Sequence, residues 1–189
     1  MTPSGALQLV WEFKLTGRTL VDPRTLRARS ASFTSHSGSR ERTTAVRFDD
    51  VADVATVSTS KPDSNNVKEK QVPITSSLDV PAALLLHRTT ARPSPPATYQ
   101  VLGGDTLYEW QVSRLGPERI TVPAGSFGTD QVEVKVRKME LKSGPAATPE
   151  EKVQTVQVWL ARGSGVPVRV TAELSLGTFQ ADLTSPSPP

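Results

Sequence analysis

The chain of 189 residues contains no cysteine. This absence excludes disulfide bonds, a thiol nucleophile, a cysteine zinc site and a cysteine lipid anchor within these residues. The sequence also lacks the phosphate-binding motif G-x-G-x-x-G, the P-loop and the G-x-S-x-G motif of a nucleophilic serine. We therefore expect no cofactor and no enzymatic activity.

Aromatic residues and long apolar runs are also scarce. Aromatic side chains make up 5% of the chain, so we expect a core built mainly from aliphatic residues. No run of about 18 apolar residues occurs, and we therefore expect no transmembrane helix. The first ten residues lack the basic and apolar parts of a secretory signal, so we expect that an exported form has already lost its signal.

The charged residues are balanced and dispersed. A formal net charge of +3 comes from 22 basic and 19 acidic residues without a basic cluster, so we expect no nucleic-acid partner. The two histidines, His36 and His87, are far apart, and neither stands four residues from another metal ligand. We expect no metal site.

Alternating apolar and polar residues predict β-strands along most of the chain. Residues 7–15 and 131–141 show the clearest period of two, which is typical of half-buried strands. Turn signals separate such segments at regular intervals. We expect a flexible lead over residues 1–5, a single β-rich domain over residues 6–184 and a disordered tail over residues 185–189.

One segment, residues 78–88, predicts a helix. Asp79 is suited to cap its first turn, and Pro81 stands where a missing backbone N–H removes no interior hydrogen bond. Three consecutive leucines, residues 84–86, cover more than half of the circumference and predict burial on two or more sides. The expected fold is mainly β, with a single curved antiparallel sheet, resembling half a barrel, wrapped around this central helix.

Several motifs resemble a family of bacterial envelope proteins catalogued as domain of unknown function 3108. They are the segment at 22–26, the Asp-led helix ending in arginine at 79–88, the Pro-Gly-Phe turn at 122–127, and the Trp-Leu and Val-Pro-Val-Arg strands at 159–160 and 166–170. The resemblance implies a periplasmic or other envelope location, although a cytoplasmic one stays open. It also implies an architecture similar to periplasmic lipoprotein carriers, which hold acyl chains between a half-barrel and helices.

We expect a non-enzymatic protein that binds a hydrophobic or lipid-like ligand in a groove between sheet and helix. Tryptophan fills cores or lines pockets, so Trp110 and Trp159 are candidates for either role. The resemblance places Arg88 and Arg169 inside recurring motifs, where each forms a structural ion pair or binds an anionic head group. The expected ligand-binding residues are Leu84, Leu85, Arg88, Trp110, Trp159 and Arg169.

Two other functions stay open at this point. The chain can be a structural or scaffolding module that binds another envelope protein through an edge strand or a sheet face. An enzyme acting on cell-wall glycan would need carboxylates that converge in a cleft, and the linear sequence displays none.

Overall fold

A computed structural model describes residues 13–38, 40–62, 66–76, 78–89, 96–140, 148–174 and 177–185. The expected flexible lead, residues 7–12 of the strand predicted at 7–15 and residues 186–189 of the expected tail lie outside these ranges. No helix in the described ranges is long and apolar enough to cross a membrane.

The described residues are mainly β, as predicted, and contain eleven strands and one helix. The elements are β1 (Phe13–Val21), β2 (Ala28–Ser37), β3 (Arg40–Asp49), β4 (Val54–Ser60), β5 (Lys68–Pro73), α1 (Val80–Thr89), β6 (Ala97–Gly103), β7 (Thr106–Val122), β8 (Gly125–Glu140), β9 (Thr148–Ala161), β10 (Pro167–Leu174) and β11 (Gly177–Asp182).

The strands form two antiparallel sheets, so the prediction of a single sheet was wrong. One sheet has the order β1-β2-β3-β4-β5 and the other has the order β11-β10-β9-β8-β7-β6. In both sheets each strand pairs with its neighbour in sequence. The helical segment between β5 and β6 satisfies its own backbone groups and cannot extend a ladder, so the meander stops there and a second one begins.

The chain divides into two compact units. Of the described residues, the first unit contains those up to Ala83 together with Leu102–Thr106, and the second contains those of Leu84–Val101 and those from Leu107 onward. The helix therefore begins in the first unit and ends in the second.

In the first unit, one face of the sheet is apolar. Successive side chains of a strand point to opposite faces, and apolar residues at alternate positions therefore share this face. The buried side chains on this face are cross-strand neighbours: Ala31 lies opposite Val46, Val46 opposite Val57, and Ala55 opposite Val72. Such direct pairs are the units that stabilise a sheet.

The predicted N-terminal cap of α1 is confirmed. The backbone N–H of Ala82 donates to Oδ1 of Asp79 over 2.9 Å, and the hydroxyl of Thr19 on β1 donates to Oδ2 over 2.5 Å. Pro81 lies in the first turn, where its missing N–H removes no hydrogen bond. Asp79 thereby joins the start of the helix to a strand of the first unit.

Gly17 on β1 provides space for an aromatic ring on β2. It lies opposite Phe33, and a Cβ atom at Gly17 would stand 2.5 Å from Cδ1 of Phe33. We expect Gly17→Ala to lower the free energy of unfolding by about 1 kcal/mol, because the ring must leave its position. Urea denaturation measures this loss.

Gly128 on β8 provides the matched control. A Cβ atom there would meet nothing within 4 Å, and its φ is not in the positive range. We expect Gly128→Ala to be neutral or to stabilise by about 0.5 kcal/mol through the unfolded state. Equal unfolding midpoints for the two alanine variants would show that Phe33 does not depend on the glycine.

In the second unit, both faces of the sheet carry apolar residues. One cluster is centred on Val112, Val134 and Val158, and the other contains Ile120, Trp159 and Val168. Register shifts at residues 114–116 on β7 and 167–169 on β10 accompany the change from one cluster to the other. Bulges of this kind reverse the face to which successive side chains point.

Candidate functional site

The main apolar surface of the second unit is one face of its sheet, which we call the valine face. Its residues follow from the register, since Trp110 lies opposite Val136, Val112 opposite Val134, and Val132 opposite Val158. The valine face consists of Trp110, Val112, Val132, Val134, Val136, Val156, Val158, Leu160 and Val170.

Burial changes along the valine face. Its central residues, among them Val112, Val134 and Val158, are almost completely buried. Towards the end marked by Trp110 and Val136, the side chains are only half-buried. This end therefore retains apolar surface that a further group can cover.

A groove of about 190 Å³ lies at the opposite end of the valine face. Its apolar wall includes Val132 and Leu160, which are the last apolar residues of that face on β8 and β9. Its lining residues are Arg114, Asp130, Val132, Leu160, Ala161, Arg162, Gly163 and Gly165. The groove thus combines aliphatic side chains with charged ones.

The two arginines of the groove differ in their partners. Arg162 donates to Oδ1 of Asp130 from Nε over 3.1 Å and from Nη2 over 3.0 Å. Arg114 lies opposite Val132, is exposed, and has no carboxylate partner among the residues that the structure describes. The guanidinium of Arg114 is therefore available to bind an anionic group.

His87, near the end of α1, is a buried polar group without partners in the described structure. Only 3% of its surface is exposed, and both ring nitrogens lack a hydrogen-bond partner. Burial lowers the pKa of His87, and the positive charge of Arg114 lowers it further. The imidazole is consequently neutral near pH 7, and its unpaired nitrogens cost stability.

The lowered pKa of His87 predicts a loss of stability in mild acid. As the pH falls below about 6.5, the unfolded state takes up the imidazole proton first, so the free energy of unfolding decreases. We expect His87→Leu to reduce this dependence in urea denaturation measured between pH 5 and pH 8. His36→Gln is the control, because the side chain of His36 is 44% exposed, whereas His87 is buried. An unchanged pH dependence in His87→Leu would contradict the assignment.

Two of the predicted site residues, Trp159 and Arg169, are brought together as cross-strand partners. Trp159 is buried, and its indole N–H donates to Oε2 of Glu118 over 2.7 Å. Arg169 binds both carboxylate oxygens of Asp182 over 2.6 and 2.9 Å and donates to the backbone carbonyl of Thr121 over 3.3 Å. These contacts hold both side chains in a polar network on the face opposite the valine face.

The charge pair between Arg169 and Asp182 shifts both groups towards their ionised forms. The guanidinium lowers the pKa of Asp182, and the carboxylate raises the pKa of Arg169. The pair therefore joins β10 to the end of β11 over the whole neutral pH range.

The other predicted site residues have different surroundings. Leu84 and Leu85 are half-buried, although the leucine run had predicted burial on two or more sides, and they belong to the second unit. Trp110 packs on the valine face at its half-buried end. Arg88 lies in the last turn of α1, and its side chain is outside the described part of the chain.

Sequence reasoning missed Arg114, Asp130 and Arg162. Arg114 falls in the strand predicted at 106–115, whereas Asp130 and Arg162 lie just outside the strands predicted at 131–141 and 153–160, and nothing in the local pattern indicates that the three residues meet at one end of the sheet. No group of three or more acidic or histidine side chains in the described ranges is placed to hold a metal ion.

Residues 1–184 match the model of a family described as "Protein of unknown function (DUF3108)". The chain belongs to this family. The match confirms the resemblance that the sequence motifs predicted. No curated protein and no solved structure gives a match.

The structure places the DUF3108-like motifs at positions that organise the fold. The Asp-led segment is the capped helix, and the Pro-Gly-Phe motif forms the turn between β7 and β8. The Val-Pro-Val-Arg motif starts β10, where Val168 is buried and Arg169 binds Asp182. These positions give a structural reason for the presence of these three motifs.

Proposed function

We propose that this DUF3108 member is a non-enzymatic envelope protein that binds a hydrophobic or lipid-like ligand with an acidic head group. The observation that carries the proposal is the valine face, which is half-buried at one end and adjoins the arginine-containing groove at the other. Apolar surface beside a few placed polar groups is the usual composition of a small-molecule site.

The head group is assigned to Arg114 in the groove. Arg162 is already neutralised by Asp130, whereas Arg114 has no carboxylate partner in the described ranges. A carboxylate or phosphate at Arg114 would gain charge-assisted hydrogen bonds, and Val132 and Leu160 would contact the first methylene groups.

The apolar chain is assigned to the valine face and to the half-buried leucines Leu84 and Leu85 of the same unit. Four residues along β7 separate Arg114 from Trp110, a distance of about 13 Å that roughly ten methylene groups can span. The central valines are buried, so a bound chain must displace side chains packed on them, including Tyr99. We therefore infer that the apolar chain of the ligand has roughly ten methylene groups or more.

Arg169 and Trp159 are assigned to stability in this proposal, because Asp182 and Glu118 already bind their polar atoms. Arg114 takes the head-group role that the family resemblance had suggested for Arg169. The envelope location rests on the family resemblance alone.

Displacement of a fluorescent fatty acid by palmitate tests the proposal. We expect saturable binding of palmitate and at least tenfold weaker binding of the neutral alcohol of equal chain length. Arg114→Glu should weaken palmitate binding by roughly tenfold or more, because a charge-assisted contact is replaced by repulsion.

Arg119→Glu is the matched control, because Arg119 is also an exposed arginine on β7 but does not line the groove. Its affinity for palmitate should equal that of the unchanged protein. Equal weakening in both variants would indicate a general charge effect and would contradict the role of Arg114. Absence of any saturable uptake would contradict the proposed function as a whole.

A further inference from the structure

Among the residues that the structure describes, the two sheets have four edge strands, namely β1, β5, β6 and β11. An edge strand presents unpaired N–H and C=O groups that can bind another strand, and proteins usually protect such edges. The protection of these four strands differs.

The edge strand β5 is protected by its composition. Lys68, Glu69 and Lys70 are consecutive exposed charges, and Pro73 ends the strand. Charges and proline both oppose the addition of a further strand.

The edge strand β1 is protected by irregular pairing and by a contact with the start of α1, and β6 by a backbone contact within the first unit. The register of β1 shifts between Leu20 and Val21, and Thr19 is bound to Asp79. On β6, the backbone N–H of Leu102 donates to the carbonyl of Leu78 over 2.8 Å. The bond of Leu102 occupies a backbone group of the β6 edge, and the bond of Thr19 ties β1 to the start of α1.

The edge strand β11 has none of these protections within the described part of the chain. It pairs with β10 without a register shift, contains no proline, and carries its one charge on its last residue, Asp182, where Arg169 neutralises it. Five of its six residues are exposed. No strand within the described ranges pairs with its outer edge.

Phe179 makes the edge of β11 apolar on one side. It is 51% exposed and lies opposite Ala172, which shares a face with Val170 of the valine face. An aromatic side chain exposed on an unprotected edge is a site at which another strand can add.

We propose that β11 pairs antiparallel with β11 of a second copy of this chain, so that the two six-stranded sheets continue into each other. The pairing is self-complementary when the two-fold axis passes through Gln180. Phe179 then lies opposite Ala181 of the second copy, and Thr178, a donor, lies opposite Asp182, an acceptor. No like charges face each other in this register, and apolar residues meet apolar residues.

The size of the interface indicates its strength. Two strands of six residues cover less area than the roughly 1,200 Å² at which stable interfaces begin. The dimer should therefore be weak and should form only as the protein concentration rises. This inference concerns the edge of the sheet and does not depend on the proposed ligand.

Sedimentation velocity from low to high micromolar protein tests the proposal. We expect a shift from monomer to dimer in the unchanged protein and a monomer at every concentration for Phe179→Lys. Leu115→Lys is the matched control, because Leu115 is 50% exposed and stands on β7, an interior strand. It should dimerise like the unchanged protein.

A cysteine scan tests the pairing itself, since the chain has no cysteine of its own. Under mild oxidation, Gln180→Cys should form a cross-linked dimer, because residues 180 of the two copies lie opposite each other. Thr178→Cys should not. A monomer at all concentrations, dimerisation of Phe179→Lys, or equal cross-linking of both cysteine variants would overturn the proposal.

Discussion

Replacing Trp159 by alanine is expected to lower the free energy of unfolding by about 3–5 kcal/mol. The indole is 8% exposed and belongs to the cluster with Ile120 and Val168. The substitution leaves a cavity in this cluster and removes the hydrogen bond to Glu118. Urea denaturation monitored by circular dichroism measures the loss.

Trp110→Ala is the matched comparison, because Trp110 is half-buried on the valine face. It should cost less than half as much stability as Trp159→Ala, since less of its surface is removed from water. It should also weaken palmitate binding, whereas Trp159→Phe should leave palmitate binding unchanged. A larger loss of stability for Trp110→Ala than for Trp159→Ala would contradict the assignment of Trp159 to the core and Trp110 to the ligand site.

Replacing Asp79 by alanine is expected to cost about 2 kcal/mol. The carboxylate accepts the backbone N–H of Ala82 and the hydroxyl of Thr19, so the variant loses the helix cap and the link to β1. In the unchanged protein, the free-energy cost of burying Asp79, which is 1% exposed, offsets part of the stabilisation that these two hydrogen bonds provide. Chemical denaturation at pH 7 gives the value.

Asp79→Asn is the control, since its amide oxygen can still cap the helix. Burial raises the pKa of Asp79 despite the hydrogen bonds that oppose this shift. Between the ordinary pKa and the raised one, the folded state binds more protons, so stability falls as the pH rises through that interval. The stability of the unchanged protein relative to Asp79→Asn should therefore decrease from pH 4 to pH 7. A difference that does not change with pH would show that Asp79 is not buried as described.

Features set by local sequence could be predicted. The cap at Asp79 and the position of Pro81 depend on neighbours within one helical turn. The strands depend on the period of two, which is visible in a segment such as 131–137. Both kinds of signal are contained in a few consecutive residues.

The number of sheets could not be predicted in this way. The period of two indicates which residues of a strand share a face, but it does not indicate which strands pair with each other. The chain forms two meanders because the helix stands between β5 and β6, and a single sheet would have required β5 and β6 to pair across that helix. The alternation of apolar and polar residues is the same whether the strands form one sheet or two.

Only part of the candidate site could be predicted, because the rest of it also depends on how the strands pair. Trp110 was selected as an aromatic residue in an aliphatic chain, and it does lie on the valine face. Arg114 is four residues further along the strand, but its place in the groove depends on Val132, Leu160 and Arg162 from other strands. Such a grouping is a property of the register and is visible only after the sheet has formed.

The most direct measurement of the central claim is native mass spectrometry of the gently purified protein, followed by extraction and identification of any bound molecule. The account predicts one amphipathic acid per chain, or uptake of one palmitate when it is added. It also predicts that Arg114→Glu lowers the fraction of protein that carries this mass shift and that Arg119→Glu retains it. A clean mass of the protein alone, with no uptake of fatty acids or lysophospholipids, would contradict the account.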